Sequence, residues 1–175
     1  MKAKKLDTLK MFRILRENLN KFAHVALSPR EGNNHVEEDY RDVSRAMRVC
    51  GFDLEIIKKE RLHFNRLQLM ADFDITLQLL ELGYPNRVTY NYANGQRKSN
   101  DEGGCSLYRT PETMTKAANM LHTFHPKFVK VQVKKTAKPW AGFDTRERTD
   151  VTVYWRKAYE FGLSKTKKGI RSFLK

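Results

Sequence analysis

The chain is predicted to be an α+β protein: a helical N-terminal half of two to four helices packed with a small antiparallel sheet and one helix, in β(β)αββ order, in the C-terminal half. Three observations predict it. Up to Pro85 the apolar residues recur mainly at three- and four-residue spacing, the period of a helix with one buried face. Beyond Pro85 they alternate with polar residues, the period of a half-buried strand. Residues 111–124 return to the helical period between two alternating stretches. With 175 residues, 40% of them hydrophobic, the chain can bury one sizeable core. The expected division is a mainly helical region over 1–84, a sheet-plus-helix region over 85–163 and a basic tail over 164–175, packed as one domain.

The first helix is read over 6–23, where Leu6, Leu9, Phe12, Leu15, Leu19 and Phe22 form a stripe and Lys10, Arg13, Arg16 and Lys21 lie outside it. Docking of that helix is expected through Leu9, Leu15, Leu19 and Phe22. "SPREGNN" (28–34) reads as a loop punctuated by Pro29 and Gly32. A second helix is predicted over 35–50: Asn34 and Glu37 have capping-box spacing, Val36, Tyr40, Val43, Met47 and Cys50 share a face, and Gly51 ends it. Glu37, Glu38 and Asp39 then sit where a helix dipole favours acids, which explains them more simply than a metal site does.

Residues 53–83 satisfy two periods. Leu67, Leu69, Ala71, Phe73, Ile75, Leu77 and Leu79 alternate as in a strand, while Leu62, Leu69, Phe73, Leu77 and Leu80 align as in a helix. The richness in Leu, Gln, Glu and Met, and the ending on Gly83 before Pro85, select helix, with a break near Asp72. After Pro85, "RVTYNYANG" reads as a strand and turn, 95–104 as a polar loop and 105–109 as a short strand. Thr110 and Pro111 open a helix carrying Met114, Ala117, Ala118, Leu121 and Phe124. Strands follow over 127–135 and 149–157, pairing as an antiparallel hairpin whose aliphatic side covers that helix.

Function is read mainly from charge. The formal net charge is +14 and is polarised: residues 1–22 hold seven Lys/Arg against two Asp/Glu, 127–175 hold fourteen against four, and the middle is almost neutral. A polarised positive charge suits polyanions better than it suits a merely solubilised surface, which interleaves its signs. The outer side of the expected hairpin collects Phe128, Lys130, Lys134, Tyr154 and Arg156, and Lys135, Lys138, Trp140, Arg146 and Arg148 repeat the mixture nearby. Lysine and arginine neutralise phosphates and aromatic rings stack on bases, so these residues, with Lys165, Lys167 and Lys168 of the tail, are the candidate nucleic-acid-binding set. Single-stranded or looped nucleic acid is the expected partner, DNA or RNA. An alternative of another class is an interaction or inhibitor factor, such as a viral or phage host-directed accessory protein, that binds an acidic protein.

Catalytic readings are thinner. Asp72 and Asp74 would share one face of a strand and hold Mg²⁺ for phosphodiester cleavage, but they diverge on a helix. His122 and His125 have the spacing of two metal ligands on one helix face, with Cys50, Cys105 and His63 the remaining candidates, yet capping of a helix C-terminus explains them as well. Gly-rich phosphate loops, nucleophile elbows and HExxH are absent, so no catalysis and no cofactor are expected. The early apolar residues are interrupted by charges, unlike a signal peptide, and no run approaches the ~20 apolar residues of a membrane span. The expected location is cytoplasmic, or nucleoid or nuclear if DNA-bound, with free thiols.

Overall fold

Five residues that the helical period passes over, "HVALS", form the strand around which the fold is built. In the structure, a computed structural model that describes residues 8–28, 37–93, 107–136, 139, 143 and 145–173, β1 (His24–Ser28) is buried at every position. It pairs in parallel with β4 (Asn86–Ala93) and antiparallel with β3 (Cys50–Phe52); β2 (Tyr40–Asp42) pairs antiparallel with the far side of β4. The resulting mixed sheet has the order β2-β4-β1-β3. A strand so placed is covered on both faces and loses the alternation by which strands are recognised, which is why β1 escaped the sequence reading.

The helix predicted over 35–50 is not formed among its described residues; β2 and β3 stand there instead. Tertiary pairing overrides the helical spacing. Arg87 of β4 holds Asp42 at 2.7 and 2.9 Å and lies 3.6 Å over the Tyr40 ring. Buried Asn86 fixes the following turn, accepting from the Ser44 amide at 3.1 Å and donating to the Ser44 carbonyl at 2.7 Å. Val43 and Arg48 take positive φ values of 54° and 68°, incompatible with a continuing right-handed helix.

Helix α1 (Thr8–Leu19) ends earlier than the predicted 23, residues 6 and 7 lying outside the described residues, and turns only part of its stripe inward: Leu15 is buried and Leu19 and Phe22 are half-buried around Val25 and Leu27, but Leu9 is 82% exposed. The segment 53–83 is helical, as selected, in two pieces. Asp53 caps α2 (Leu54–Lys59) by accepting from the Glu55 and Ile56 amides. The break falls over 60–70 rather than at Asp72, with Met70 at φ 63° immediately before α3 (Ala71–Glu81). The ambiguity of this segment has a physical source: α3 buries Asp74, Ile75, Thr76, Leu77, Leu79 and Leu80, so apolar residues occupy nearly every side of it. Gly83, at φ 87°, ends it in a Schellman motif, with the Tyr84 amide donating to Leu79 O at 3.0 Å and the Gly83 amide to Leu80 O at 2.9 Å.

In the C-terminal half α4 (Pro111–Phe124) begins at the predicted cap, where Thr110 accepts from the Thr113 amide. It is followed by the antiparallel pair β5 (Val129–Lys135) and β6 (Glu147–Val153), then by α5 (Trp155–Phe173). Three expectations are corrected here. β4 belongs to the mixed sheet and not to the hairpin; residues 107–109, the described part of the expected strand 105–109, are not a strand; and the last strand stops at Val153, with most of the expected basic tail continuing a helix. Helix wins after Val153 because Trp155, Ala158, Tyr159 and Gly162 recur at helical spacing against a ready-made apolar surface: Ala158 is fully buried and α5 packs along α3. The largest core cluster joins Leu67, Leu77 and Leu80 to Leu121, Phe128, Val129 and Ala158. No helix among the described residues is long and apolar enough to cross a membrane.

Candidate nucleic-acid interface

Alternation in "VKVQVKK" and "ERTDVTV" does to the hairpin what period-two sequences must do. The inner side carries Val129, Val131 and Val133 of β5 opposite Val153, Val151 and Thr149 of β6. Val129, Val151 and Val153 enter the core cluster, and the Thr149 hydroxyl lies 2.7 Å from that of Thr115, pinning β6 to α4. The outer side carries Lys130, Gln132 and Lys134 opposite Thr152, Asp150 and Arg148. One backbone bond extends the ladder at each end: Tyr154 N to Phe128 O at 2.8 Å, and Thr136 N to Arg146 O at 2.7 Å.

The electrostatics of this face are uneven. Lys134 and Arg148 stand directly opposite each other, a like-charge pair that on its own weakens a hairpin. Asp150 relieves it, its Oδ2 taking Lys134 Nζ at 2.8 Å and a terminal Arg148 nitrogen at 3.3 Å. Burial alone would raise the Asp150 carboxyl; the Lys134 hydrogen bond, the Val151 amide and the charge of Arg148 outweigh it and hold the group below its ordinary value. Lys130 has no ion-pair partner among the described residues. The face therefore keeps a net positive charge with one carboxylate organising its centre.

Some predicted residues meet on this face and others do not. Lys130, Lys134 and Arg148 do, and Arg146 extends their row in the alternation. Lys135 has the inner parity yet is exposed. Phe128 is a correction: it precedes the strand, is 5% exposed, and packs against Phe161 at 5.4 Å between ring centroids, so it cannot stack on a base. Tyr154 joins β6 to α5, remains exposed, and has Lys157 Nζ 4.7 Å above its ring. Arg156 is exposed in the first turn of α5, a helix rather than the expected strand. Lys165 is exposed farther along it, over the Phe161 ring at 4.3 Å. Lys138 and Trp140 lie outside the described residues, as do the side chains of Lys167 and Lys168.

Next to Tyr154 the structure opens a cleft of about 810 Å³ between β2 and the start of α5, lined in part by Tyr40, Arg41, Tyr154, Arg156, Lys157 and Glu160. Sequence reasoning missed Tyr40 and Arg41 because it placed them inside a helix; the "DYRD" alternation of ring and charge was the available signal. Arg41 is shared with Glu38 at 3.1 Å and lies over the Tyr90 ring at 5.8 Å.

The other candidate residues join elements of the fold to one another. His122 Nδ1 donates to Val129 O at 2.7 Å, and His125, at 3% exposure, places Nε2 2.8 Å from Asp74 Oδ1 and Nδ1 against Glu81. A carboxylate on each ring nitrogen favours an imidazolium, against the Arg66 terminal nitrogen 3.3 Å from Nε2. Burial opposes that charge, but the bonds to Asp74 and Glu81 win and raise the His125 value above 6.5. Asp74 also takes Arg66 and Gln78; burial would raise it, and the His125 and Arg66 bonds bring it below 3.8. Asp72 instead faces Arg45 at 3.0 Å. The two aspartates thus diverge on α3, and the strand required for a shared Mg²⁺ site is not there. Cys50 is a free thiol that burial pushes up to about 12, away from nucleophilic use at neutral pH. Among the described residues no three His, Cys, Asp or Glu side chains converge as metal ligands.

Comparison with protein-family models, with curated proteins and with solved structures finds no match to this chain.

Proposed function

We propose that this chain is a nucleic-acid-binding protein that grips phosphates with the outer face of the β5–β6 hairpin, extended toward the cleft by Tyr154, Arg156 and Lys157. The observation that carries the reading is the cross-strand pair Lys134–Arg148, flanked by Lys130 and Arg146 on an exposed face. One carboxylate, Asp150, is shared between the two cations, so with Lys130 and Arg146 the face keeps an excess of positive charge that a polyanion would neutralise. With Phe128 buried, phosphate neutralisation takes the larger share and base stacking falls to Tyr154 and the cleft. The test is a titration of labelled mixed-sequence DNA and RNA at several salt concentrations. Log affinity should fall linearly with log salt, by about 0.7 to 0.9 per phosphate neutralised; a flat dependence, or no binding, rejects the proposal.

A second reading, recognition of an acidic protein, is favoured by one feature of α1. Leu9 and Phe12 are 82% and 59% exposed, one turn apart, with exposed Arg13 and Arg16 beside them, an apolar patch rimmed by cations. A stoichiometric acidic protein retained from nuclease-treated lysate, and lost on Phe12→Asp, would select this reading.

A further inference from the structure

We propose that the cleft between β2 and the start of α5 takes up an unpaired base of the bound strand, an inference that rests on the nucleic-acid reading above and names the substrate class of that site as single-stranded or looped nucleic acid. The cleft begins where the cationic row ends. Arg148, Asp150 and Thr152 stand on the outer side of β6, and Tyr154 continues their period-two alternation, its amide extending the ladder to Phe128 O at 2.8 Å. At ~3.3 Å per residue the Tyr154 backbone lies about 20 Å from that of Arg148, a distance that one strand covers in a few nucleotides. A nucleic-acid backbone gripped at Lys134 and Arg148 therefore leads its next bases to the cleft.

The lining suits a nucleotide. Two tyrosines from distant parts of the chain meet there, Tyr40 of β2 at 48% exposure and Tyr154 at 40%. Each is steadied by a cation: the Arg87 guanidinium lies 3.6 Å over the Tyr40 ring, and Lys157 Nζ 4.7 Å over that of Tyr154. The exposed remainder of each ring is a surface on which any base can stack. The carboxylates of the cleft are largely neutralised, Glu38 by Arg41 at 3.1 Å and Asp42 by Arg87 at 2.7 Å. Arg156 and Lys157 are exposed and have no ion-pair partner among the described residues, which leaves them for the phosphate attached to that base, while Glu160 on the same wall can accept from base N–H groups. At about 810 Å³ the cleft is within the range, about 300–1,000 Å³, of cavities that hold small ligands. A base inside a duplex is stacked on both faces and paired along its edge, and bringing it here costs unstacking and unpairing energy. Single strands, loops and bulges present their bases without that cost.

The experiment compares a labelled oligothymidylate with its fully abasic counterpart of the same length, which carries the same phosphates and no bases, and with a duplex of that length, by anisotropy at several salt concentrations. The wild-type protein should bind the thymidylate about 5- to 150-fold more tightly than the abasic strand, the worth of one stacked base, and Tyr154→Ala should erase most of that ratio. Tyr154 is exposed, so the variant should fold, as circular dichroism would verify; the comparison of the two strands on the wild type stands without it. Equal affinity of the wild type for both strands, a ratio that Tyr154→Ala leaves intact, or binding of the duplex alone would overturn the assignment of the cleft while leaving salt-dependent phosphate binding in place. No binding to any of the three would overturn the underlying reading itself.

Discussion

Replacing Gly162 by Ala sets two physical effects of opposite sign against each other. Gly162 is buried on α5, and a Cβ there would stand 2.3 Å from the Gly83 amide nitrogen, 2.4 Å from Leu80 O and 2.8 Å from Gly83 Cα. These are backbone atoms of the Schellman ending of α3, where Gly83 is held at φ 87° by the Tyr84–Leu79 bond, so they cannot rotate away as a side-chain tip would. Ordinary carbon contacts begin near 3.5 Å, so α5 must retreat by about 1 Å. Helix propensity alone favours Ala over Gly by about 1 kcal/mol. Overpacking costs typically about 1–3 kcal/mol and sometimes more, and the most crowded contacts belong at the upper end of that range. The predicted net change is a destabilisation of roughly 1–2 kcal/mol, or about 2–8 °C in Tm for a chain of this size. Urea unfolding followed by tryptophan fluorescence would measure it, with exposed Ser164→Ala as the helix-propensity control. A Gly162→Ala protein more stable than the wild type would show that α5 does not approach α3 this closely.

Two histidines predict the pH profile of stability. The His24 ring is buried, stacks on Phe52 at 4.3 Å, and has no hydrogen-bond partner for either nitrogen among the described residues, so burial pushes its value down to about 3. The unfolded chain takes up that proton first, so stability should fall by up to about 1.4 kcal/mol per pH unit as pH drops from 6.5 toward 3; His24→Phe should remove that slope above the carboxylate range, while below it Asp74 and Asp150, both held under their ordinary values, add a loss of their own. His125 is raised, so its contribution is complete below 6.5 and fades as pH rises through its folded value. Denaturant midpoints should therefore peak near pH 6.5, and a monotonic rise to pH 9 would contradict the imidazolium assignment. In α1, Leu15→Asp should cost several kcal/mol by burying a charge, on the order of 3 or more, while Leu9→Asp should change stability by no more than about 0.5 kcal/mol. Equal effects in thermal melts would mean that α1 is docked differently.

The parts of this fold legible in sequence are those whose local signals and tertiary environment agree. Thr110-Pro111 opens α4, Gly83 closes α3, and the Val/Lys alternation of β5 separates a covered side from an exposed one. The parts that were not legible are those decided by partners distant in sequence. β1 carries no period because both of its faces are covered, and Tyr40–Asp42 is a strand because Arg87, far along the chain, provides both an ion pair and a stacking surface. The candidate site follows the same division. Lys130 and Lys134 were found by parity alone and Arg148 only as part of the basic connection, since the strand was read from 149, whereas the burial of Phe128 depends on α5, whose helical start at Trp155 was hidden by the β-like run "TDVTVYW" leading into it.

Phosphate binding by the outer hairpin face is measured most directly by the salt slope of the variant Lys130→Gln/Lys134→Gln/Arg148→Gln against that of a control, Lys58→Gln/Lys116→Gln, whose exposed lysines lie on α2 and α4. Titrated with one duplex DNA over a range of salt, the triple variant should keep its fold and flatten the slope of log affinity against log salt by about 2.7, three contacts at about 0.9 each, while the control keeps the wild-type slope. A triple variant whose slope and affinity match those of the wild type would contradict phosphate binding by this face.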